Sequence, residues 1–407
     1  MPRTPRPPLR GAFAGRLPGV RFASAFFAVL LAVLGGVVAA EILRTVGNAL
    51  ERPSVPAFYE QPAGLAAGDP GSIIKADALL GAPFNARGWR IMYRSTDLNG
   101  DPVVATGVLV TPLGPPPPGG RTIVSWGHPT TGSSPDCAPS YGFDPYLGIE
   151  GLRLLLDRGY AVVATDYIGM GTDGPDSYLI GATEGNNVLD AARAAQAVLG
   201  PDVSDRVVLW GHSQGGQAVL FAAERAPDYA PELSIEAVAV AAPAANLSDL
   251  MSAHLDDLSG VTIGSYAFAA FAEIYDEPIE SILSPAAIEI LPEMNELCLL
   301  SNIPELHKIA GPVVGNFMLS DPTTTEPWAT LLEENSAGSV AFDAPLFIAQ
   351  GLDDTLVVPA DTEDFAEHEA SLGMSVTYHE VPFATHGTIA YFTLPALDRW
   401  LTEVGAR

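Results

Sequence analysis

Apolar runs alternate with amphipathic segments along most of the chain, and this alternation is the main structural signal in the sequence. Six of the runs are typical of strands in a parallel sheet. They occupy residues 121–126, 160–165, 206–210, 235–241, 345–351 and 375–381. Helical patterns occur between or after them, at 149–158, 184–199, 214–226, 360–372 and 388–404. This order predicts an α/β fold with a mostly parallel sheet that helices cover on both faces.

Two strand-like runs precede this series. Trp89–Ser95 and Val103–Val110 flank Asn99–Gly100, a pair of residues that favours the tight turn of a hairpin. The sequence therefore predicts an antiparallel hairpin ahead of the parallel strands.

One long stretch, residues 246–341, lacks the strand–helix alternation and instead combines helical patterns with apolar patches such as "YAFAAF" and "IEILPEM". An insertion of this length between two strands usually covers the edge of the sheet where ligands bind. We expect a helical cap or lid here, with the α/β core formed by 81–245 and 342–407. Repeated prolines predict an irregular N-terminal segment over 41–80.

The first 40 residues resemble a targeting segment. Five arginines precede the uncharged run Phe22–Ala40, which ends in the small residues Val38–Ala39–Ala40. This pattern predicts a cleaved signal peptide over 1–40. An uncleaved membrane anchor is the alternative, because 19 uncharged residues are nearly enough to span a bilayer. Either leader predicts a secreted or extracytoplasmic protein.

Composition and charge narrow the class of protein. Hydrophobic residues make up 48% of the chain and charged residues 17%, which is a globular composition. The net charge of −28 repels phosphate backbones, so nucleic acid is excluded as a partner. The two cysteines, Cys137 and Cys298, form either one disulfide or two separate buried thiols.

A candidate nucleophile lies in the pentapeptide Gly211–His212–Ser213–Gln214–Gly215. An apolar strand runs directly into this G-x-S-x-G motif, and an Ala/Leu-rich helix follows it, which is the setting of a nucleophile elbow. Side chains at Gly211 and Gly215 would collide with neighbouring backbone in such a turn. The sequence therefore predicts Ser213 as a nucleophile, with a glycine-rich structural turn as the alternative.

A serine hydroxyl needs a base to take its proton, and the base needs an acid to orient it. In a fold with a nucleophile elbow, the three residues follow one another in the chain in the order serine, acid, histidine. His386 follows the last predicted strand, in a loop position where catalytic groups gather. His379 lies within that strand and His368 on an acidic helix, so both are predicted to be structural or solvated. The acid follows the strand at 345–351, where Asp353 and Asp354 are adjacent candidates.

An oxyanion hole would complete the site. Its first donor is the backbone N–H of Gln214, the residue after the nucleophile. The second is expected in the loop after 121–126, where Pro129 has no N–H to donate, which leaves Thr130 as the best candidate. His128 is expected to support this loop. The sequence contains no metal-ligand spacing and no phosphate-binding glycine loop, so we expect no cofactor and no metal.

Taken together, "SWGHPTTG", "CAPS", "ATDYIGMGTDGPDSYLIGATEGNNVLDAARAA", "GHSQGG", "GLDDTLV" and "THG" resemble the secretory lipase family, the lipase-A-like α/β-hydrolases. The resemblance extends over about residues 60–405 and is most specific in the long segment that begins near Asp166. It implies an α/β-hydrolase fold with a helical cap and Asp354 as the acid. It also implies a disulfide between Cys137 and Cys298 that ties the oxyanion loop to the cap. Pro129 departs from the family, which often has glycine there.

The expected function is that of a triacylglycerol lipase or esterase that acts through an acyl-enzyme on lipid esters at a lipid–water interface. A short-chain esterase, an acyltransferase and a peptidase remain alternatives, because all of them use the same acyl-enzyme chemistry. A non-catalytic binding protein on the same fold is the alternative from a different class. The sequence does not predict an oligomeric state.

Overall fold

A computed structural model describes residues 18–61 and 64–406 of the chain, and their side chains from residue 35 onward. Nine strands form one sheet. They are β1 (Ile73–Leu79), β2 (Ala86–Thr96), β3 (Pro102–Pro112), β4 (Arg121–Gly127), β5 (Ala161–Thr165), β6 (Val203–His212), β7 (Ser234–Ala241), β8 (Leu346–Gly351) and β9 (Val376–Val381). Their spatial order is β1-β2-β3-β5-β4-β6-β7-β8-β9. β1, β2 and β3 pair antiparallel, β3 pairs antiparallel with β5, and all pairs from β5 to β9 are parallel.

Helices surround the sheet. They are α1 (Pro18–Glu51), α2 (Val55–Tyr59), α3 (Leu152–Asp157), α4 (Gly181–Leu199), α5 (Gln214–Tyr229), α6 (Leu247–His254), α7 (Leu258–Tyr275), α8 (Pro285–Glu296), α9 (Ile303–Ala310), α10 (Trp328–Glu334), α11 (Pro359–Ser371), α12 (Ile389–Phe392) and α13 (Leu394–Glu403). One face of the sheet packs against α4, α5 and α11, and the other against α3, α12 and α13. The predicted mostly parallel sheet with helices on both faces is confirmed.

The central strands are apolar because both of their faces are buried. On β6, Val207 and Leu209 belong to the core beneath α4 and α5, whereas Val208 and Trp210 belong to the opposite core. Successive side chains of a strand point to opposite faces, so a strand between two helical layers is expected to carry apolar residues on both faces. This is the physical origin of the continuous apolar runs in the sequence.

Residues 246–341 lie between β7 and β8 and contain the five helices α6 to α10. These helices share a core of their own, in which Phe268, Phe271 and Trp328 are fully buried. Tyr178 and Leu179, from the loop before α4, are part of the same core and join it to the sheet. The insertion is therefore a helical unit packed on the loops of the α/β core.

The segment over 41–80 differs from the irregular chain that its prolines predict. α1 continues through Glu51, and β1 occupies Ile73–Leu79. Pro53 and Pro56 each lie in the first turn of a short helix, where a missing N–H costs nothing. β1 forms by pairing with β2, a tertiary contact that the local sequence does not reveal.

The predicted leader, residues 1–40, falls mostly outside the part of the chain that is described with side chains. Residues 1–17 are not described, and the backbone of α1 begins at Pro18. Among the residues whose side chains the structure describes, no helix is both long enough and apolar enough to cross a membrane.

Candidate active site

Ser213 lies in a strained turn between β6 and α5. Its backbone has φ 56° and ψ −120°, a conformation that L-residues seldom adopt. A Cβ added at Gly211 would lie 2.1 Å from Gly215 O, and one at Gly215 would lie 1.9 Å from Gly127 O. Both flanking positions therefore require glycine, for the reason that the G-x-S-x-G motif suggests.

A chain of hydrogen bonds joins Ser213, His386 and Asp354. His386 Nε2 lies 2.8 Å from Ser213 Oγ, and His386 Nδ1 lies 2.9 Å from Asp354 Oδ2. The second carboxyl oxygen of Asp354 accepts the backbone N–H groups of Leu356 at 2.9 Å and Val357 at 3.0 Å. With Nδ1–H donating to Asp354, Nε2 accepts the serine proton, so this arrangement can activate the hydroxyl.

The two adjacent acids after β8 have different environments. Asp354 is buried at 4% exposure and points to His386, whereas Asp353 is exposed on the same loop. The backbone N–H of Asp353 donates to Ala384 O at 3.0 Å. Of the two candidates, the geometry brings Asp354 to the histidine.

His386 is flanked by a second pair of buried polar residues that the sequence did not predict. The His212 ring packs against the His386 ring with centroids 4.9 Å apart, and Glu150 Oε2 lies 2.9 Å from His212 Nδ1. Burial lowers the pKa of His386 below its ordinary value, although the hydrogen bond to Asp354 opposes this, and neighbouring His212 lowers the pKa further. A lowered pKa keeps the imidazole neutral at pH 7, which is the form that can accept a proton.

Both predicted oxyanion donors lie beside Ser213. Gly127 at the end of β4 pairs with Gly211 on β6, which brings the loop after β4 next to the elbow. Thr130, Ser213 and Gln214 line one cavity together with Tyr178. Gln214 is the first residue of α5, so its backbone N–H lies at a helix N-terminus, where negative charge is favoured.

Tyr178 is not among the site residues predicted from the sequence, although it lies inside the segment "GPDSYLIGATEGNN" that carries the resemblance. Its hydroxyl is 2.8 Å from Thr130 Oγ1, and either oxygen can be the donor. No property of the local sequence indicates this contact, because 48 residues separate the two positions.

The cavity beside Ser213 is small and mostly apolar. Its volume is about 20 Å³, which is room for about one water molecule. Apolar side chains from the cap and from the loop after β8 close it. They are Leu250 on α6, Ile263 on α7, and Leu356 and Val357 after Asp354. A cavity of this volume is too small to hold an ester.

The other three histidines considered in the sequence have structural contacts. His128 is buried in the loop after β4, with Nδ1 2.7 Å from Pro129 O, which suits a residue that supports this loop. His379 stacks on Phe347 across β8 and β9, and His368 lies 2.9 Å from Gly338 O.

A disulfide joins Cys137 to Cys298 across 161 residues. Cys137 lies in the loop that follows β4, and Cys298 lies just after α8 of the cap. Next to the bridge, Leu299 N donates to Thr131 O at 2.9 Å. The disulfide therefore ties the base of the cap to the loop that carries Thr130.

Replacing both cysteines by serine is expected to lower the free energy of unfolding by up to about 5 kcal/mol, because the bridge restricts a long loop in the unfolded chain. Denaturant unfolding of the double variant and the parent measures this change. A reductant should shift the parent toward the double variant and leave the double variant unchanged. Equal unfolding free energies for the two proteins, or free thiols in non-reducing peptide mapping of the parent, would contradict the assignment.

The mostly parallel sheet, the serine elbow after β6 and the acid and histidine loops after β8 and β9 define an α/β-hydrolase fold. The chain belongs to the secretory lipase family, because that family's model matches residues 149–404.

Two relatives extend this comparison over most of the chain. Lipase 6 of Candida albicans is 26% identical, with 86% of this chain and 81% of the relative covered. A Mycobacterium tuberculosis protein described as a probable inactive lipase is 26% identical, with 86% of this chain and 82% of the relative covered.

Solved structures agree on the fold. The closed state of Candida antarctica lipase A superimposes with a TM-score of 0.70 at 20% identity, covering 85% of this chain and 84% of that one. LipA, a rice cell wall degrading esterase from Xanthomonas oryzae, superimposes with a TM-score of 0.68 at 21% identity, covering 83% and 98%. Family and fold together support a carboxylic ester hydrolase.

Proposed function

We propose that the chain is an exported serine hydrolase that cleaves carboxylic esters of lipids, with Ser213 as nucleophile, His386 as base and Asp354 as the acid that orients the base. The unbroken chain of hydrogen bonds from Asp354 through His386 to Ser213 is the observation that carries the proposal. The secretory lipase family and the predicted leader support export. Recovery of the chain from the culture medium, with its first residue near Glu41, tests export with cleavage.

The reaction begins when Ser213 Oγ attacks the ester carbonyl while His386 Nε2 takes the hydroxyl proton. The carbonyl oxygen becomes an oxyanion, and the N–H groups of Gln214 and Thr130 stabilise it. His386 then gives its proton to the leaving alkoxide, so that an alcohol departs and an acyl-serine remains. Water attacks this ester by the same two proton transfers, which releases the carboxylic acid and restores the serine. Throughout, Asp354 stays ionised and stabilises the imidazolium.

The apolar surroundings of Ser213 favour a lipid acyl chain over a peptide. Leu250, Ile263 and Leu356, which close the cavity beside Ser213, also line a second small cavity between α6 and α7. The two cavities therefore share three lining side chains, all of them apolar. Movement of these side chains would join the two cavities along apolar surface, which is the kind of surface that an acyl chain contacts.

Hydrolysis of nitrophenyl esters of increasing chain length, below and above their solubility limits, tests the substrate class. We expect kcat/KM to rise from acetate toward medium and long chains, since more apolar surface is buried against the cap. We also expect the rate to rise sharply once an oil–water interface forms. Fastest turnover of acetate with no rise at the interface would instead favour a soluble short-chain esterase. Ester formation with added alcohol in place of hydrolysis would favour an acyltransferase.

A further inference from the structure

Glu184 connects two walls of the cavity beside Ser213. It lies in the first turn of α4 and is fully buried. Its Oε1 accepts a hydrogen bond from Gln214 Nε2 at 2.7 Å and another from Leu179 N at 3.0 Å. One carboxyl oxygen therefore joins the start of α5, directly after the nucleophile, to the loop that precedes α4.

Both of these contacts lead to the proposed oxyanion donors. Gln214 carries the first donor on its own backbone. Leu179 is held at φ 59°, in the left-handed region, and the residue before it, Tyr178, bonds Thr130 through its hydroxyl. Tyr178, Leu179, Gln214 and Thr130 all line the same cavity. Glu184 is therefore bonded directly to the wall that contains Gln214 and, through Leu179 and Tyr178, is connected to the wall that contains Thr130.

The surroundings of Glu184 favour an uncharged carboxyl group. Both groups that donate to Oε1 are neutral amides. Within the described part of the chain, Glu184 Oε2 has no hydrogen-bond partner, and neither does Gln214 Oε1. Burial raises the pKa of Glu184 well above its ordinary range; the bonds from Gln214 and Leu179 oppose this, and the nearby charge of Asp176 adds to it. A neutral carboxyl can hold both walls without repelling an oxyanion in the cavity.

We propose that Glu184 is a positioning residue of the oxyanion hole, which holds Gln214 and Leu179 so that the donors of Gln214 and Thr130 converge on one substrate oxygen. This inference rests on the proposed ester hydrolysis. A role in folding alone is the competing explanation, because a polar group at this depth could serve only to join α4, α5 and the loop before α4. The two roles differ in their effect on the binding of a tetrahedral oxyanion.

The test uses Glu184→Gln, Glu184→Ala and a matched control, Glu369→Ala, in the full chain. Glu369 is also a buried acid with an unpartnered oxygen within the described residues, but it lies on α11. Glu184→Ala is expected to lower kcat by about 10- to 100-fold with little change in KM. A long-chain trifluoromethyl ketone, which adds to the serine as a tetrahedral oxyanion, should bind more weakly by a similar factor.

The two other variants separate positioning from folding. Glu184→Gln should keep kcat within about threefold, because its amide oxygen accepts the same two bonds and its NH₂ can donate to Gln214 Oε1. Glu369→Ala should lower the melting temperature and leave kcat and ketone binding unchanged. If Glu184→Ala does not fold, Gln214→Leu replaces it, since this variant keeps the backbone N–H and removes the bond to Glu184.

Three results would overturn the inference. The first is a kcat of Glu184→Ala, or of Gln214→Leu in its place, within threefold of the parent. The second is a loss of kcat without weaker ketone binding, and the third is a loss of kcat in Glu184→Gln as large as in Glu184→Ala. Failure of the proposed function can be distinguished from failure of this inference, because it appears already in the kinetics of the parent. In that case the parent itself shows no ester hydrolysis that depends on Ser213.

Discussion

Replacing Ser213 by alanine is expected to lower kcat/KM for ester hydrolysis by roughly 10⁵- to 10⁶-fold, the scale on which removal of a nucleophile acts in serine hydrolases. The physical reason is that His386 then has no hydroxyl to deprotonate, and no acyl-enzyme can form. The melting temperature should change little, since the hydroxyl contributes one hydrogen bond, to His386, and alanine fits the same turn. Initial rates on a soluble ester together with thermal unfolding measure both effects.

Ser265→Ala is the matched control. Ser265 is also fully buried, but its hydroxyl donates to Val261 O within α7 of the cap. This variant should keep its activity and should still react with a fluorophosphonate, whereas Ser213→Ala should not react. Ester hydrolysis that survives in Ser213→Ala would remove the nucleophile from the proposal. The relative described as a probable inactive lipase makes this experiment the first to perform, because it separates a hydrolase from a non-catalytic member of the family.

Asp354→Asn should lower kcat by about 10⁴-fold. An amide at this position can present an N–H to His386 Nδ1, which favours the tautomer with its proton on Nε2, where it can no longer accept the serine proton. The amide also cannot stabilise the imidazolium that forms in the transition state. Steady-state kinetics with a soluble ester measure the loss, which should appear in kcat with little change in KM.

Asp353→Asn provides a control in the preceding residue of the same loop, with the same loss of one charge. Its side chain is exposed, so activity should stay within about twofold of the parent. Equal losses in the two variants would show that the effect comes from loop charge and not from the contact with His386. A large loss in Asp353→Asn alone would reassign the acid.

Most of the fold could be predicted because its strongest signals are local. The buried centre of β6, residues 207–210, is apolar at every position because helices cover both faces of the sheet, and such a run can be recognised from a few consecutive residues. β1 could not be predicted in the same way. Its pattern of burial is irregular, and its place at the edge of the sheet depends on pairing with β2.

In the candidate site, too, the residues with local sequence signals could be predicted, and those that depend on distant contacts could not. Ser213 and His386 could be selected from motifs that each lie within a few residues of a predicted strand end. The choice of Asp354 over Asp353 needed the family resemblance, since sequence order alone does not say which of two neighbours points inward. Tyr178 and Glu184 were not predicted, because their importance lies in contacts with residues 48 and 30 positions away.

The position of the cap in the chain also has a consequence for synthesis. Ser213 leaves the ribosome 173 residues before His386, and the whole cap is translated between them. A nascent chain that has folded only as far as β7 contains the serine elbow but not the imidazole of His386. Such a chain lacks both Asp354 and His386, so the proposed ester hydrolysis cannot take place in it. The order of the elements thus delays the proposed activity until the last two strands and the loops that follow them have been synthesised.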